Sequence, residues 1–329
     1  MAEFGIRTID NFSSNDLYYK YLGWLGEYNA NPEYVNEFIR RVGLQIDRPN
    51  AVLTEAHLEF IESADLNMPD WQKGVEITIP IDLKYYALGQ AFSRRFINSS
   101  TSYELDERTK KAIAADQRLV MKKYFGCMLK KAVSGFYFGS VFTPSKYKNN
   151  SFDGDHSHYV LSNEGAGGAN WDIGDIRWAK EHILEHGYSA LNLHLYANSN
   201  TIRDIEGWAT WTASAAPVVT SSKLTDILAT EGFARGVSIE GFAVHHEEWI
   251  PDDYLLFLSQ DEPCVAERVH RNPSARGLQI IPGKNSNCML EDSYYERAIG
   301  TAVIAKGAGL VMHNTTGSAW ADPDGFDFE

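Results

Sequence analysis

In the stretch "GVEITIPIDLK" the side chains alternate. Val75, Ile77, Ile79, Ile81 and Leu83 fall on one side, and Glu76, Thr78, Pro80, Asp82 and Lys84 on the other. A period of two predicts a strand with one covered face. Pro80 lies on the polar side and marks an edge position, because proline cannot donate to a ladder. The turn-rich "LNMPDWQKG" precedes the run. Residues 57–98 are therefore expected to form a long two-stranded excursion. A hairpin of that kind is marginal on its own in water and needs a cover.

The period then changes. Thr101 and Glu104 form a capping box, and Leu105, Ile113, Val120, Tyr124, Cys127 and Met128 make a narrow apolar stripe that stops at Ser134 and Gly135. A helix over 101–134 at ~1.5 Å per residue is a rod of roughly 45 Å, longer than most. Its other faces are dense with Lys and Arg. Ahead of the excursion, residues 1–56 are expected to form an arm with one short helix in "NPEYVNEFIRRVG", where Asn31 caps, Pro32 opens and Gly43 ends it. Downstream the pattern is α/β. Asp172 opens the helix "IGDIRWAKEHILEHG", ended by Gly187. "LNLHLYANS" is a strand, "SNTIRDIEGW" and "SKLTDILATEG" are short helices, and "VSIEGFAVHHEEWI" and "YLLFLSQ" are strands. "QIIPG" and "ERAIGTAVIAKGAGLVMHN" close the chain with glycine-punctuated β segments.

Composition changes this picture only at a few points. The 329 residues are 44% hydrophobic and 22% charged, which is ordinary for a globular protein able to bury a large core. No apolar run approaches the ~18 residues that a bilayer span needs, and the first residues lack a signal-peptide layout, so a cytoplasm-like compartment is expected. Cys127, Cys264 and Cys288 are too few and too far apart for a disulfide framework, and read as reduced buried thiols. The net charge of −14 argues against a dedicated nucleic-acid binder. Between Lys84 and Asn150, however, 13 Lys or Arg face 4 Asp or Glu, leaving that stretch at +9 and the remainder at −23. Such segregation suits either a solvated basic face or a basic element meeting an acidic surface on another copy of the chain.

Candidate chemistry is sparse. His245, His246, Glu247 and Glu248 offer four ligand types in a row, but on a strand from Ile239 to Ile250 they divide between two faces. In "DGDHSH", Asp155, His156 and His158 could grip a metal and serve a metal-dependent hydrolase, although that chemistry needs a further ligand group with its own motif, and no HxxEH, HExxH or further HxH is expected. There is no nucleophile elbow, no Walker-type phosphate loop and no dinucleotide-binding glycine pattern after a strand. No catalytic residue and no cofactor is expected.

Three stretches, in order, resemble the major capsid proteins of tailed bacteriophages of the Hong Kong 97 type. "IPIDLKYYALGQAFSRRFINSSTSYELDERTKKAIAADQRLVMKKYFGCML" is similar to the E-loop and spine helix of that family. "WDIGDIRWAKEHILEHGYSALNLHLYANSNTIRDI" with "VSIEGFAVHHEEWIPDDYLLFLS" is similar to the axial domain, and "RNPSARGLQIIPGKNSNCMLEDSYYERAIGTAVIAKGAGLVM" to the closing strands of the peripheral domain. The resemblance implies an α+β HK97-like fold. Its parts would be an arm (1–56), an E-loop (57–98), a peripheral domain with the spine helix (99–170), an axial domain (171–262) and closing peripheral strands with a C-terminal tail (263–329). "HHEEWIP" becomes a strand and its turn, with Trp249 and Pro251 fixing the return.

The function implied is a shell subunit that forms hexamers and pentamers of an icosahedral virion around double-stranded DNA, held by non-specific contact. The implied partners are a portal, a separate scaffolding protein or none, and a cement protein whose presence the residues leave open, with assembly in the host cytoplasm and no membrane. Arg94, Arg95, Lys122 and Lys123 are the candidates for intersubunit ion pairs, and Met68 and Trp71 for apolar contacts at the loop tip. Lys73 and Lys84 lie where relatives place cross-linking lysines. An encapsulin-type compartment shell is the alternative within the same fold.

Overall fold

The structure is a computed structural model that describes residues 6–30, 43–55, 75–89, 92–131, 157–162, 171–206, 238–284, 288–315 and 319–325. Its helices, in chain order, are α1 (Ser14–Ala30), α2 (Arg94–Ser99), α3 (Ser102–Leu129), α4 (Ile173–Glu185) and α5 (Ser199–Glu206). Its strands are β1 (Gly43–Ile46), β2 (Asn50–Glu55), β3 (Val75–Pro80), β4 (Lys84–Gly89), β5 (Tyr159–Leu161), β6 (Leu193–Ala197), β7 (Ser238–Ile239), β8 (Phe242–His246), β9 (Tyr254–Ser259), β10 (Val265–Arg268), β11 (Leu278–Ile281), β12 (Tyr294–Val303) and β13 (Gly309–His313). Two units divide the chain: Met1–Pro49, Ile81–Lys123 and Glu267–Thr301 make the first, and Asn50–Pro80, Tyr124–Ala266 and Ala302–Glu329 the second.

The first unit is built on β12. Over Tyr294–Arg297 this strand is flanked by β11 on one side (Leu278↔Arg297 to Ile281↔Tyr294) and β4 on the other (Lys84↔Ile299 to Gly89↔Tyr294), both antiparallel. β10 and β1 continue the sheet. Against it lies α1, whose Leu17, Tyr18, Tyr21 and Leu25 recur at helical spacing and join Phe92, Ile97, Leu105, Leu278, Ile280, Leu290 and Tyr295 in one core. The Asn29 amide fixes the end of α1. It donates to the Leu278 carbonyl and accepts from the Leu278 N–H, both at 2.9 Å, and a Cβ on the neighbouring Gly277 (φ +79°) would sit 2.2 Å from its oxygen.

The alternating run of the sequence serves two different pairings. Its first part, β3, pairs antiparallel with β2 from Asn50↔Pro80 to Glu55↔Val75, so the partner strand comes from within residues 1–56. Its continuation, β4, pairs with β12. Between them, the Ile81 N–H donates to the Pro49 carbonyl (2.8 Å), and the Ile81 carbonyl accepts from Arg268 Nη1 (2.6 Å).

α3 begins as its capping box predicts. The Thr101 N–H donates to Glu104 Oε2 (2.9 Å) and the Glu104 N–H donates to Thr101 Oγ1 (3.4 Å). Its 28 residues at ~1.5 Å make a rod of about 42 Å. Leu105, Val120, Tyr124, Cys127 and Met128 are buried as expected, and Ile113 is half-buried. The expected stop at Ser134 and Gly135 lies outside the described residues. None of the three cysteines is in a disulfide, all are buried, and burial pushes the Cys264 thiol up to about 12.

Besides the β2–β3 pair, the second unit holds a six-stranded sheet in the order β5-β13-β9-β6-β8-β7, covered by α4 and α5. β5–β13 and β6–β8 are parallel, and the remaining pairs antiparallel. Every residue of β9 and β13 is buried, which places β13, from the closing segment, in the interior of this sheet. Ile176, Ala179 and Ile183 of α4 and Ile202 and Ile205 of α5 pack with Leu193, Leu195, Phe242, Val244 and Phe257. The Asp172 cap of α4 is reciprocated by Asp175, and Gly187 follows the helix at φ +89°.

One strand expectation is corrected. Ile239–Ile250 is not continuous, because Glu240 (φ +51°) and Gly241 (φ +93°) form a two-residue hairpin turn and β8 ends at His246. The helix expected over 31–43 lies outside the described residues except for Gly43, its expected end, which opens β1 instead, and the helix expected at 222–232 lies outside them.

Candidate functional site

The first unit exposes apolar side chains outside its core. α1 spends one face on the core, yet Tyr19 (60% exposed) and Leu22 project from another, and Ile9, Phe12 and Tyr103 of the same unit are exposed as well. A helix apolar on two faces is built for two neighbours. β4 repeats the theme. It pairs with β12, no other strand among the described residues pairs with it, and Tyr85 and Leu88 are exposed along it. Unpaired strand edges with exposed apolar groups are association sites unless something covers them.

The candidate basic residues separate into two kinds. Arg94 and Arg95 open α2, whose cap is Ser93 accepting from the Phe96 N–H, and both are exposed. Lys122 and Lys123 are half-buried on α3. Lys123 is engaged inside its own unit: its Nζ lies 4.6 Å from the Tyr86 ring centre and its carbonyl accepts from Thr301 Oγ1 (3.2 Å). Arg94 and Arg95 are thus presented outward, whereas Lys123 binds within the chain. Met68, Trp71 and Lys73 lie outside the described residues, and Lys84 is exposed at the start of β4.

Beneath this surface a buried polar network holds β12 to α3. Arg297 Nη1 lies 2.5 Å from Asp116 Oδ2 and Nη2 lies 3.7 Å from Glu267 Oε1, while the Tyr28 hydroxyl donates to Asp116 (2.9 Å) and Gln45 Nε2 donates to Glu267 (3.1 Å). Burial lifts the Asp116 carboxyl above its ordinary range, against Arg297 and Tyr28. Sequence reading missed the network, since its members are scattered and each alone resembles a surface charge.

The histidine candidates of the second unit also find their places. His245 and Glu247 are buried while His246 and Glu248 are exposed, the expected division across two faces. His245 stacks on Tyr196 (4.6 Å between centroids), with its Nε2 2.7 Å from His194 Nδ1. His158 does not belong to an open loop site. It is fully buried, its Nδ1 lies 2.6 Å from the Gly309 carbonyl, and its neighbours are His182 of α4 and His186, the residue that caps the C-terminus of that helix. Asp155 and His156 lie outside the described residues. Of the three residues expected for a hydrolase, His158 alone is described, and it faces the protein interior. The sequence signal for its true neighbours is "HILEH", an H-x-x-E-H at 182–186, so the expectation that the chain lacks this motif is corrected.

A scan against family models finds no match, and neither does a search of curated proteins. Solved structures do match. A chain from Mycobacterium phage Patience superposes with a TM-score of 0.67 at 23% identity, covering 97% of this chain and 95% of that one. A chain of the cyanophage A-1(L) capsid asymmetric unit superposes at 0.52 and 12% identity, over 84% and 91%. The holo-SrpI encapsulin from Synechococcus elongatus aligns at 0.46 and 12% identity, over 85% and 87%. The chain has the α+β HK97-like capsid fold.

Proposed function

We propose that this chain is the major capsid protein of a tailed-phage head, a non-catalytic shell subunit that assembles into hexamers and pentamers around double-stranded DNA. The observation that carries the reading is a capsid fold extending over nearly the whole chain, with 97% of it matched to a phage protein. The exposed features fit the same role. In this reading the β2–β3 ribbon is the base of an E-loop laid over a neighbouring subunit, α3 is the spine helix, and the six-stranded unit is the axial domain around which capsomers close. Tyr19, Leu22, Tyr85 and Leu88 become apolar contacts, and Arg94 and Arg95 meet acidic side chains of an adjacent copy. Each is a liability on an isolated molecule and is relieved by closed symmetric packing. A separate scaffolding protein and a portal are the partners this assembly uses.

Electron microscopy tests the proposal. The expressed chain, alone and with its companion proteins, should give capsomers, sheets or hollow icosahedral shells, and particles from the source should contain DNA. Shells that hold protein cargo and no DNA would assign the chain to a compartment instead. A monomer that persists at high concentration and with the companion proteins present would refute shell function. An Arg94→Glu, Arg95→Glu variant should assemble poorly while melting like the parent as a free chain, because both side chains are exposed.

A further inference from the structure

We infer that His158, His182 and His186 form a buried site for one divalent transition-metal ion, zinc foremost, that clamps the second unit of the fold. The three side chains come from separate places. His158 immediately precedes β5, His182 lies in the last turn of α4, and His186 is the C-cap of that helix, so the two keep the i, i+4 spacing across the helix end. Their ligand nitrogens all lie within 4.8 Å of one another. Ring centroids are 4.7 Å apart for His158–His182 and for His158–His186, and 5.5 Å for His182–His186.

The hydrogen bonds orient the cluster for a metal. A backbone carbonyl only accepts, so His158 Nδ1 must carry the proton in its 2.6 Å contact with Gly309, leaving Nε2 bare. That is the arrangement in which a ligating histidine donates its second nitrogen to a carbonyl that fixes its tautomer. The bare Nε2 faces His186 Nε2 at 3.0 Å. Without metal, His186 donates its Nε2–H across that gap; with metal, His186 takes the other tautomer and both nitrogens turn lone pairs to the ion. Zinc–nitrogen bonds of about 2.0–2.1 Å in a tetrahedron separate ligand nitrogens by roughly 3.4 Å, so His158 and His186 need only a small expansion and His182 a modest swing inward.

The surroundings hold the rings in place. Trp178 stacks on His182 at 4.9 Å and 14°. Gly307 leaves room for His186, since a Cβ there would come within 3.2 Å of its ring. An all-imidazole set selects zinc, copper, nickel or cobalt and rejects magnesium and calcium, which prefer oxygen. Glu185 of the H-x-x-E-H motif is exposed and His158 is fully buried, so the motif contributes ligands without a catalytic base at the ion. The site is structural: it joins the start of β5 to α4, and through Gly309 to β13, across 28 and 151 residues of chain.

The test uses the full chain without a histidine tag, stripped with a chelator and then given zinc or magnesium. Elemental analysis after gel filtration should find one zinc per chain and no magnesium, and zinc should raise the melting temperature in a concentration-dependent way. Cobalt should give the visible absorption of a tetrahedral site. His158→Ala risks failing to fold, so the deciding variant is His182→Gln at the half-buried position, checked for folding by circular dichroism. It should lose stoichiometric zinc, while a His194→Gln control keeps it. A folded parent that retains no zinc, or a His182→Gln variant that retains as much as the parent, overturns the assignment. Neither outcome depends on shell assembly, so the result stands or falls separately from the proposed function.

Discussion

Replacing Arg297 with Met should destabilise the free chain by about 3–5 kcal/mol at neutral pH, the range for breaking a buried ion pair from one side. The magnitude follows from what Met leaves behind. Side-chain exposure is 11% for Arg297 and 2% for each of Asp116 and Glu267, so two carboxylates lose their shared cation where water cannot replace it. Met keeps most of the apolar stem, so little of the loss is cavity. The melting temperature should fall by on the order of 10 °C.

The pH dependence separates this mechanism from simple loss of packing. In the parent, burial opposes the Arg297 charge, but Asp116 and Glu267 outweigh it and the guanidinium is held charged. Burial raises Asp116 above its unfolded value of 3.8, and Arg297 limits that rise. A carboxyl whose folded pKa is raised contributes stability that is complete below the unfolded pKa and is lost as pH rises through the folded one. Removing Arg297 widens this interval, so the deficit of Arg297→Met should be largest near pH 7 and shrink as pH falls toward 4. Scanning calorimetry on the unassembled chain at several pH values measures it. A deficit below about 1 kcal/mol, or one that does not change with pH, would refute the reasoning.

Gly300→Ala should abolish soluble expression or lower the melting temperature sharply, because a Cβ there would sit 2.2 Å from the Asp82 carbonyl oxygen, a backbone atom that cannot swing aside; a parent-like melt would show that the strand leading into β4 can retreat. His313 is buried against Tyr254 (rings stacked in parallel, 4.3 Å between centroids) and its pKa is lowered by burial, with Asp253 opposing, so the neutral ring belongs to the fold. The stability it contributes is full above the unfolded value of 6.5 and is lost as pH falls from there through the folded value; His313→Gln should flatten that part of the melting-versus-pH curve. The Asp10 carboxylate, bonded to the Ser102 hydroxyl and N–H at the start of α3, is held down to about 2 by those bonds. Its contribution persists above 3.8 and fades as pH falls through about 2, so amide exchange at Ser102 should accelerate only in strong acid, and Asp10→Ala should bring that acceleration to neutral pH.

How far these features could be read from sequence depended on how local their physics is. α3 and α4 were legible because their first turns carry reciprocal caps, Thr101 with Glu104 and Asp172 with Asp175, which act over three residues whatever surrounds them. β9 was legible as a short run apolar on both faces. α1 was not, because tyrosines supply much of its buried stripe and Gly23 and Gly26 interrupt it, so its periodicity is blurred and its helix propensity low. The Glu240–Gly241 turn was readable in "IEGF" but was overridden by the alternation that runs on either side of it.

The harder failures share one cause. Periodicity reports which side of a segment is covered and is silent on what covers it. The run from Val75 to Lys84 keeps one phase throughout, yet β3 pairs with β2 and β4 pairs with β12, more than two hundred residues downstream. Nothing local marks the change of partner; the constraint sits on the other strand, in Gly300, where any side chain would meet the Asp82 carbonyl. The histidine centre follows the same logic. His182 and His186 are visible as an i, i+4 pair, and His158 as part of a polar loop, but only the parallel pairing of β5 with β13 brings His158 beside the Gly309 carbonyl and under α4. A pairing that distant has no local sequence period to announce it, so chemistry that depends on it becomes visible only when the strands are placed.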